Sequence, residues 1–232
     1  EGKNGLEKGK KIQAIRPIEP VWCYPTQYDS NNPLKGDWYC PSGGATLQFI
    51  WRNDLSVPGG GRLALTDTGA TQRRLAFMHP KSPVFGSWLV EYQVRDPATD
   101  SLQFALTPLR DVDYTAAGSA SYWCHLRQVA GPWWRCSLYL ANGAQLDAVD
   151  TPTLPIAGDR GKILLTHHVN GDWQIYSYLQ SLKSWYWSVA VANEVTQLST
   201  NYFVIAPRGA YVERVVRCQG EADPHELDIT VP

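Results

Sequence analysis

Short runs in which apolar and polar residues alternate, separated by clusters of Gly, Pro, Asn and Asp, make up most of this chain. Alternation at period two puts successive side chains on opposite faces of a strand, whereas a helix would repeat at about 3.6 residues. About eleven runs fit the strand pattern: Ala45–Arg52, Gly61–Thr66, Ser87–Arg95, Ser101–Thr107, Ser121–Gln128, Trp133–Leu140, Lys162–Val169, Asp172–Leu179, Trp185–Ala192, Tyr202–Ala206 and Tyr211–Cys218. Strands at this spacing, with turn signals between them, predict an all-β sandwich or barrel. No internal repeat or linker divides it, so the expected organisation is an N-terminal arm over 1–20, one β-sandwich domain over 21–220 and a tail over 221–232.

Two hairpins set the expected registers. In HHVNGDWQIYSYL, Asn170-Gly171 suits a two-residue turn, because both positions need positive φ. That turn would set His168 opposite Trp173 and His167 opposite Gln174. Neighbouring strand residues face opposite ways, so the two histidines cannot chelate one metal, and one packed and one solvated ring is expected. In SYWCHLRQVAGPWWRCSLYL, a loop of Val129, Ala130 and Gly131 would close the strands. Cys124 then lies opposite Cys136, which predicts a cross-strand disulfide.

The same register sorts the remaining side chains by face. Tyr122, Cys124, Leu126, Trp134, Cys136, Leu138 and Leu140 form an apolar face. Trp123, His125, Arg127, Trp133, Arg135, Ser137 and Tyr139 form the other, with Arg127 opposite Trp133 and His125 opposite Arg135. In Ser87–Arg95, Trp88, Val90, Tyr92 and Val94 face the core and Leu89, Glu91, Gln93 and Arg95 face outward. If these strands share a sheet, Glu91, Gln93, Arg95, Gln103, Trp123, His125, Arg127, Trp133, Arg135 and Tyr139 make one surface. Aromatic platforms beside planar hydrogen-bonding groups suit a sugar chain. Tryptophan beside arginine also permits a cation–π contact.

Composition narrows the functional classes. The 232 residues are 44% apolar and 19% charged, with a formal net charge of −1. Such a balance supplies no global field that would draw nucleic acid or an anionic membrane. Ten tryptophans and twelve tyrosines against five phenylalanines favour aromatics that keep one edge wet. No apolar run is long enough to span a bilayer. The polar opening EGKNGLEKGKK reads as a mobile arm of a processed chain. The cysteines, Cys23, Cys40, Cys124, Cys136 and Cys218, form no CxxC pair, so no metal site and no cofactor are expected and an oxidising compartment is. Among Cys23, Cys40 and Cys218 three pairings remain; Cys23 with Cys40 is preferred, bracketing CYPTQYDSNNPLKGDWYC. No Asn-x-Ser/Thr sequon occurs.

FGSWLVEYQVRD, NGDWQIYSYL and NYFVIAPRGAYVERVVR resemble the concanavalin A-like (laminin G-like) jelly-roll superfamily over roughly residues 45–220. The resemblance implies two antiparallel sheets, one curved, and relatives that bind or cleave polysaccharides on the concave sheet. The Glu-x-Asp-x-x-Glu strand of the β-glucan hydrolases is missing. Glycoside hydrolysis needs two carboxylates about 5–10 Å apart; Glu91 is one option, with Glu213 and Asp172 unplaced. Jelly-roll lyases neutralise a uronate with Arg, Gln or Asn and move protons with His or Tyr. Glu91, Gln93, Arg95, His125 and Tyr139 match that set in type, although no lyase motif is matched residue for residue.

The leading expectation is a secreted, cell-surface or periplasmic sandwich that binds a polysaccharide through Glu91, Gln93, Arg95, Trp123, His125, Arg127, Trp133 and Arg135. One alternative is a polysaccharide lyase or glycoside hydrolase using Glu91, His125 and Tyr139. The other is a structural subunit of an extracellular filament or coat, self-associating through its N-terminal arm. Whether calcium binds, for instance at RDVDY (Arg110–Tyr114), is left open by the sequence.

Overall fold

The structure, a computed structural model, describes the backbone of residues 38–39, 47–53, 61–67, 75–78, 85–108, 119, 121–129, 131, 133–140, 143–151, 154–191 and 202–218. Side chains are described for 66, 85–108, 119, 121–129, 131, 133–140, 143–151, 154–183, 191 and 203–213. The arm, the tail, Cys23, Cys40, the RDVDY run and the side chain of Cys218 lie outside these residues.

The described chain is all strand and turn. In order the strands are β1 (Trp38–Tyr39), β2 (Leu47–Asn53), β3 (Gly61–Asp67), β4 (Leu75–Met78), β5 (Gly86–Gln93), β6 (Ser101–Thr107), β7 (Tyr122–Gln128), β8 (Trp134–Leu140), β9 (Gln145–Asp150), β10 (Arg160–His167), β11 (Trp173–Leu179), β12 (Ser184–Val191), β13 (Tyr202–Arg208) and β14 (Tyr211–Cys218). Each of the predicted runs is a strand, and β1, β4 and β9 are additions. Two seven-stranded sheets result: sheet I in the order β1-β4-β13-β6-β7-β8-β9, and sheet II in the order β12-β11-β10-β5-β14-β3-β2. The described strand pairs are antiparallel.

The inner faces of the two sheets interdigitate. Sheet I contributes Leu102, Phe104, Tyr122, Cys124, Leu126, Trp134, Cys136, Leu138, Phe203 and Ile205; sheet II contributes Trp88, Val90, Tyr92, Ile163, Leu165, Trp173, Ile175 and Val212. Trp88 stacks on Phe203 at 4.3 Å between centroids, and Tyr92 lies parallel to Trp134 at 6.3 Å. Trp134 donates its indole N–H to Pro97 O at 2.8 Å, so its one polar atom is satisfied. Gly161 lies under the Tyr92 ring, where any Cβ would collide with it. A side chain there would displace the Tyr92 ring, which lies parallel to Trp134.

Both predicted registers shift. The β7–β8 hairpin pairs Gln128 with Trp134, so the loop runs over residues 129–133 rather than three residues. Trp134 is the reason: its ring is fully buried and its backbone N–H and O bond Thr151, so it begins the strand. Trp133 is left in the turn, its ring against Gly131. The slip is two residues, which conserves the face assignments of Tyr122–Gln128 and Trp134–Leu140 but takes Trp133 out of the outward row. It does separate the cysteines: Cys124 pairs with Leu138 and Cys136 with Leu126. Diagonal Cβ atoms lie about 7–8 Å apart, beyond disulfide reach, so the predicted Cys124–Cys136 bond gives way to two buried free thiols. Burial pushes both thiols up, that of Cys136 to about 12, so neither is a ready nucleophile.

The β10–β11 hairpin slips by one. His168 N–H donates to Asp172 O at 2.8 Å, and Gly171 sits at φ 90°. The connection is therefore a three-residue loop ending in a left-handed glycine, not the predicted two-residue turn. His167 now pairs with Trp173, and Thr166 rather than His167 pairs with Gln174. His167 is buried, stacked on Trp173 at 4.3 Å, with Phe85 and Tyr122 alongside; His168 is half-buried.

Candidate functional site

Topology divides the sequence-predicted surface in two. β6, β7 and β8 lie side by side in sheet I, but β5 is central in sheet II. Glu91, Gln93 and Arg95 therefore lie on the opposite outer face from Gln103, Trp123, His125, Arg127, Arg135 and Tyr139. The expected ten-residue surface does not exist, nor does the expected catalytic group, because Glu91 is a sandwich's thickness away from His125 and Tyr139. β5–β6 is a crossover between the sheets, which strand alternation does not reveal.

On sheet I the ladders align outward-facing residues in rows. Arg208, Ser101, Arg127, Arg135 and Asp150 form one row across β13, β6, β7, β8 and β9; Ala206, Gln103, His125, Ser137 and Ala148 form the next. A third holds Val204, Ala105, Trp123 and Tyr139. Trp123 stacks on Tyr139 at 4.2 Å and 15°, and packs over Ala105 and Val204. Ala105, Val204, Ala206 and Ser137 in these rows are buried, and Trp123 and Tyr139 are half-buried.

His125 is 6.1 Å from Trp123 between ring centroids, beside Gln103 and Ser137. Burial, assisted by the positive charge of Arg127, lowers its pKa from 6.5 to about 4. The imidazole is neutral at physiological pH, able to donate through one nitrogen and accept through the other. A base this weak is poorly matched to proton abstraction near neutrality.

The register brings Arg127 opposite Arg135, where the sequence had placed Trp133, and Ser137 opposite His125, where it had placed Arg135. Like charges directly opposite are unfavourable. Asp150 relieves the clash by accepting two bonds from Arg135, Nε at 2.7 Å and Nη2 at 2.9 Å, which also holds its own carboxyl below the usual range. Arg127 and Arg208 are exposed and form no ion pair among the described residues. Sequence reading missed both Asp150 and Arg208. A bulge between Leu138 and Tyr139 breaks the β8–β9 register, which disguised β9. Pro207 looked like a strand end, yet β13 continues through it, with Pro207 paired with Leu102 and Arg208 with Ser101 of β6.

Sheet II's outer face is wired differently. Lys162 Nζ lies 3.7 Å from Glu91 Oε1, Arg160 Nε 3.6 Å from Glu213 Oε2, and Lys162 sits 5.8 Å from the Tyr178 ring. Arg95 lies 5.0 Å over Tyr211 and donates to Gly209 O at 3.4 Å, while Gln93 donates to Gly158 O at 2.8 Å. Leu89, Leu164, Ser87 and Thr166 on the same side are buried. Among the described residues no group of three or more His, Cys, Asp or Glu side chains is placed to hold a metal ion, and no helix is long and apolar enough to cross a membrane.

The sequence matches no family model and no curated protein. Solved structures do match. The exoplasmic/lumenal domain of VIP36 in its Ca2+/Man2-bound form superposes with a TM-score of 0.51 at 12% identity, covering 79% of this chain and 86% of that one. The enzymatically active domain of bacteriophage CBA120 tailspike protein 2 superposes with a TM-score of 0.53 at 10% identity, covering 86% of this chain but 33% of the tailspike chain. At these identities the likeness speaks to architecture alone. Together with the paired seven-stranded sheets, it identifies the fold of this chain as the concanavalin A-like jelly roll.

Proposed function

We propose that this protein binds a polysaccharide on the outer face of sheet I. The observation that carries the reading is the Trp123–Tyr139 stack, standing over Ala105 and Val204 beside Gln103, His125 and Ser137. The CH face of a sugar ring packs against such an aromatic surface, while the adjacent polar row offers donors and acceptors to its hydroxyls. A mannose-bound structure of the same fold supports the ligand class. The VIP36 domain of the same fold is exoplasmic/lumenal, and we infer an extracytoplasmic place of action for this chain.

Binding is favoured over cleavage by two observations. His125 is a weak base at neutral pH, and Asp150 is committed to Arg135. Affinity electrophoresis and a glycan panel test the reading. The folded protein should be retarded by at least one polysaccharide, and Trp123→Ala should abolish the retardation without unfolding, since Trp123 packs outside the main core. Binding that survives Trp123→Ala, or no binding to any glycan, would refute it.

A further inference from the structure

The row next to the polar groups is cationic. Arg208, Arg127 and Arg135 point to the same side of sheet I, and only Arg135 has a carboxylate partner among the described residues. Arg127 and Arg208 are exposed on either side of Ser101, with Arg127 directly across from Arg135. Adjacent strands are about 4.8 Å apart, so the two guanidinium groups arise about 10 Å apart on the sheet. In a chain of net charge −1, two arginines with no ion pair among the described residues, beside a third, are a local feature rather than an excess of positive charge. Guanidinium groups match planar carboxylate and tetrahedral oxyanion groups with paired N–H bonds. Sugar hydroxyls do not need them.

We propose that the ligand of this face is an acidic saccharide, whose carboxylate or ester oxyanion is held by Arg127 and Arg208. Arg127 and Trp123 are four residues apart on β7, about 13 Å at strand rise. A sugar ring against Trp123 and an anionic group at the arginines therefore belong to different units of one chain, and the middle row of Gln103, His125 and Ser137 lies under the unit between them. The proposal rests on the polysaccharide-binding reading and names the charge of its ligand.

The test uses the full chain and polymers differing only in charge. Polygalacturonate is compared with its fully methyl-esterified form, and dextran sulfate with dextran, by affinity electrophoresis and calorimetry. The acidic member of at least one pair should bind at least about tenfold tighter, the size of one charge-assisted hydrogen bond. The first pair reports a carboxylate ligand and the second a sulfate ester. Arg127→Gln and Arg208→Gln should each remove most of that preference while sparing binding to the neutral partner; Trp123→Ala should weaken both. Equal affinity for charged and neutral members would overturn the acidic ligand while leaving polysaccharide binding intact. No binding to any glycan would overturn both. Equally tight binding of duplex DNA would show a generic polyanion surface and overturn the proposal as well.

Discussion

The two outer faces of this sandwich carry similar residue types and dispose of their charge in opposite ways. On sheet II Lys162 meets Glu91 and Tyr178, Arg160 meets Glu213, and Arg95 lies over Tyr211. On sheet I, Arg135 is closed off by Asp150, while Arg127 and Arg208 are exposed with no ion pair among the described residues, two rows from the Trp123–Tyr139 stack. A face that completes its own electrostatics is built for stability. The sheet I face, with its guanidinium groups exposed two rows from a Trp–Tyr stack, is the one we propose meets a ligand. Residue type alone would not have separated them, since both faces mix Arg, Glu or Asp, Gln and Tyr.

Substitutions should split along this line. Glu91→Ala removes the carboxylate 3.7 Å from Lys162 Nζ, in a site where both side chains are under a tenth exposed. Breaking such a pair costs about 3–5 kcal/mol, so denaturant melts should show a large loss of stability. Glycan affinity, measured on the folded fraction, should be unchanged. Trp123→Ala should do the reverse, lowering affinity on the order of tenfold or more with a modest change in melting temperature.

Acid should act through sheet I. The unfolded chain protonates its histidine near 6.5, whereas folded His125 stays neutral down to about 4. Between those values the unfolded state binds more protons, so stability must fall as pH falls through the window. His125→Gln should make the loss shallower, which urea melts across that range would read. Asp150→Asn comes last. It frees Arg135 at an exposed site, where solvent screens the pair, and the melting temperature should hardly change.

The strands, their faces and the fold class were legible because period-two alternation survives in Tyr122–Gln128 and Trp134–Leu140 regardless of register. A slip of two residues in the β7–β8 hairpin left Trp123, His125 and Arg127 on the predicted side, but it moved Cys124 away from Cys136. The slip of one in β10–β11 exchanged the cross-strand partner of His167. Local patterning fixes which way a side chain points; register follows from anchors such as the buried Trp134 and the glycine conformation at Gly171. Which sheet a strand joins is set by long-range pairing, here of β5 with β10 and β14. That is why Glu91, Gln93 and Arg95 were expected beside His125 and are found across the core from it.

The central claim is that sheet I, and not sheet II, is the glycan face. Its most direct test is affinity electrophoresis through gels containing a polysaccharide that retards the wild type, comparing it with Trp123→Ala on sheet I and Tyr178→Ala on sheet II. Retardation lost with Trp123→Ala and kept with Tyr178→Ala is the predicted result. Retardation lost with Tyr178→Ala and kept with Trp123→Ala would contradict the account.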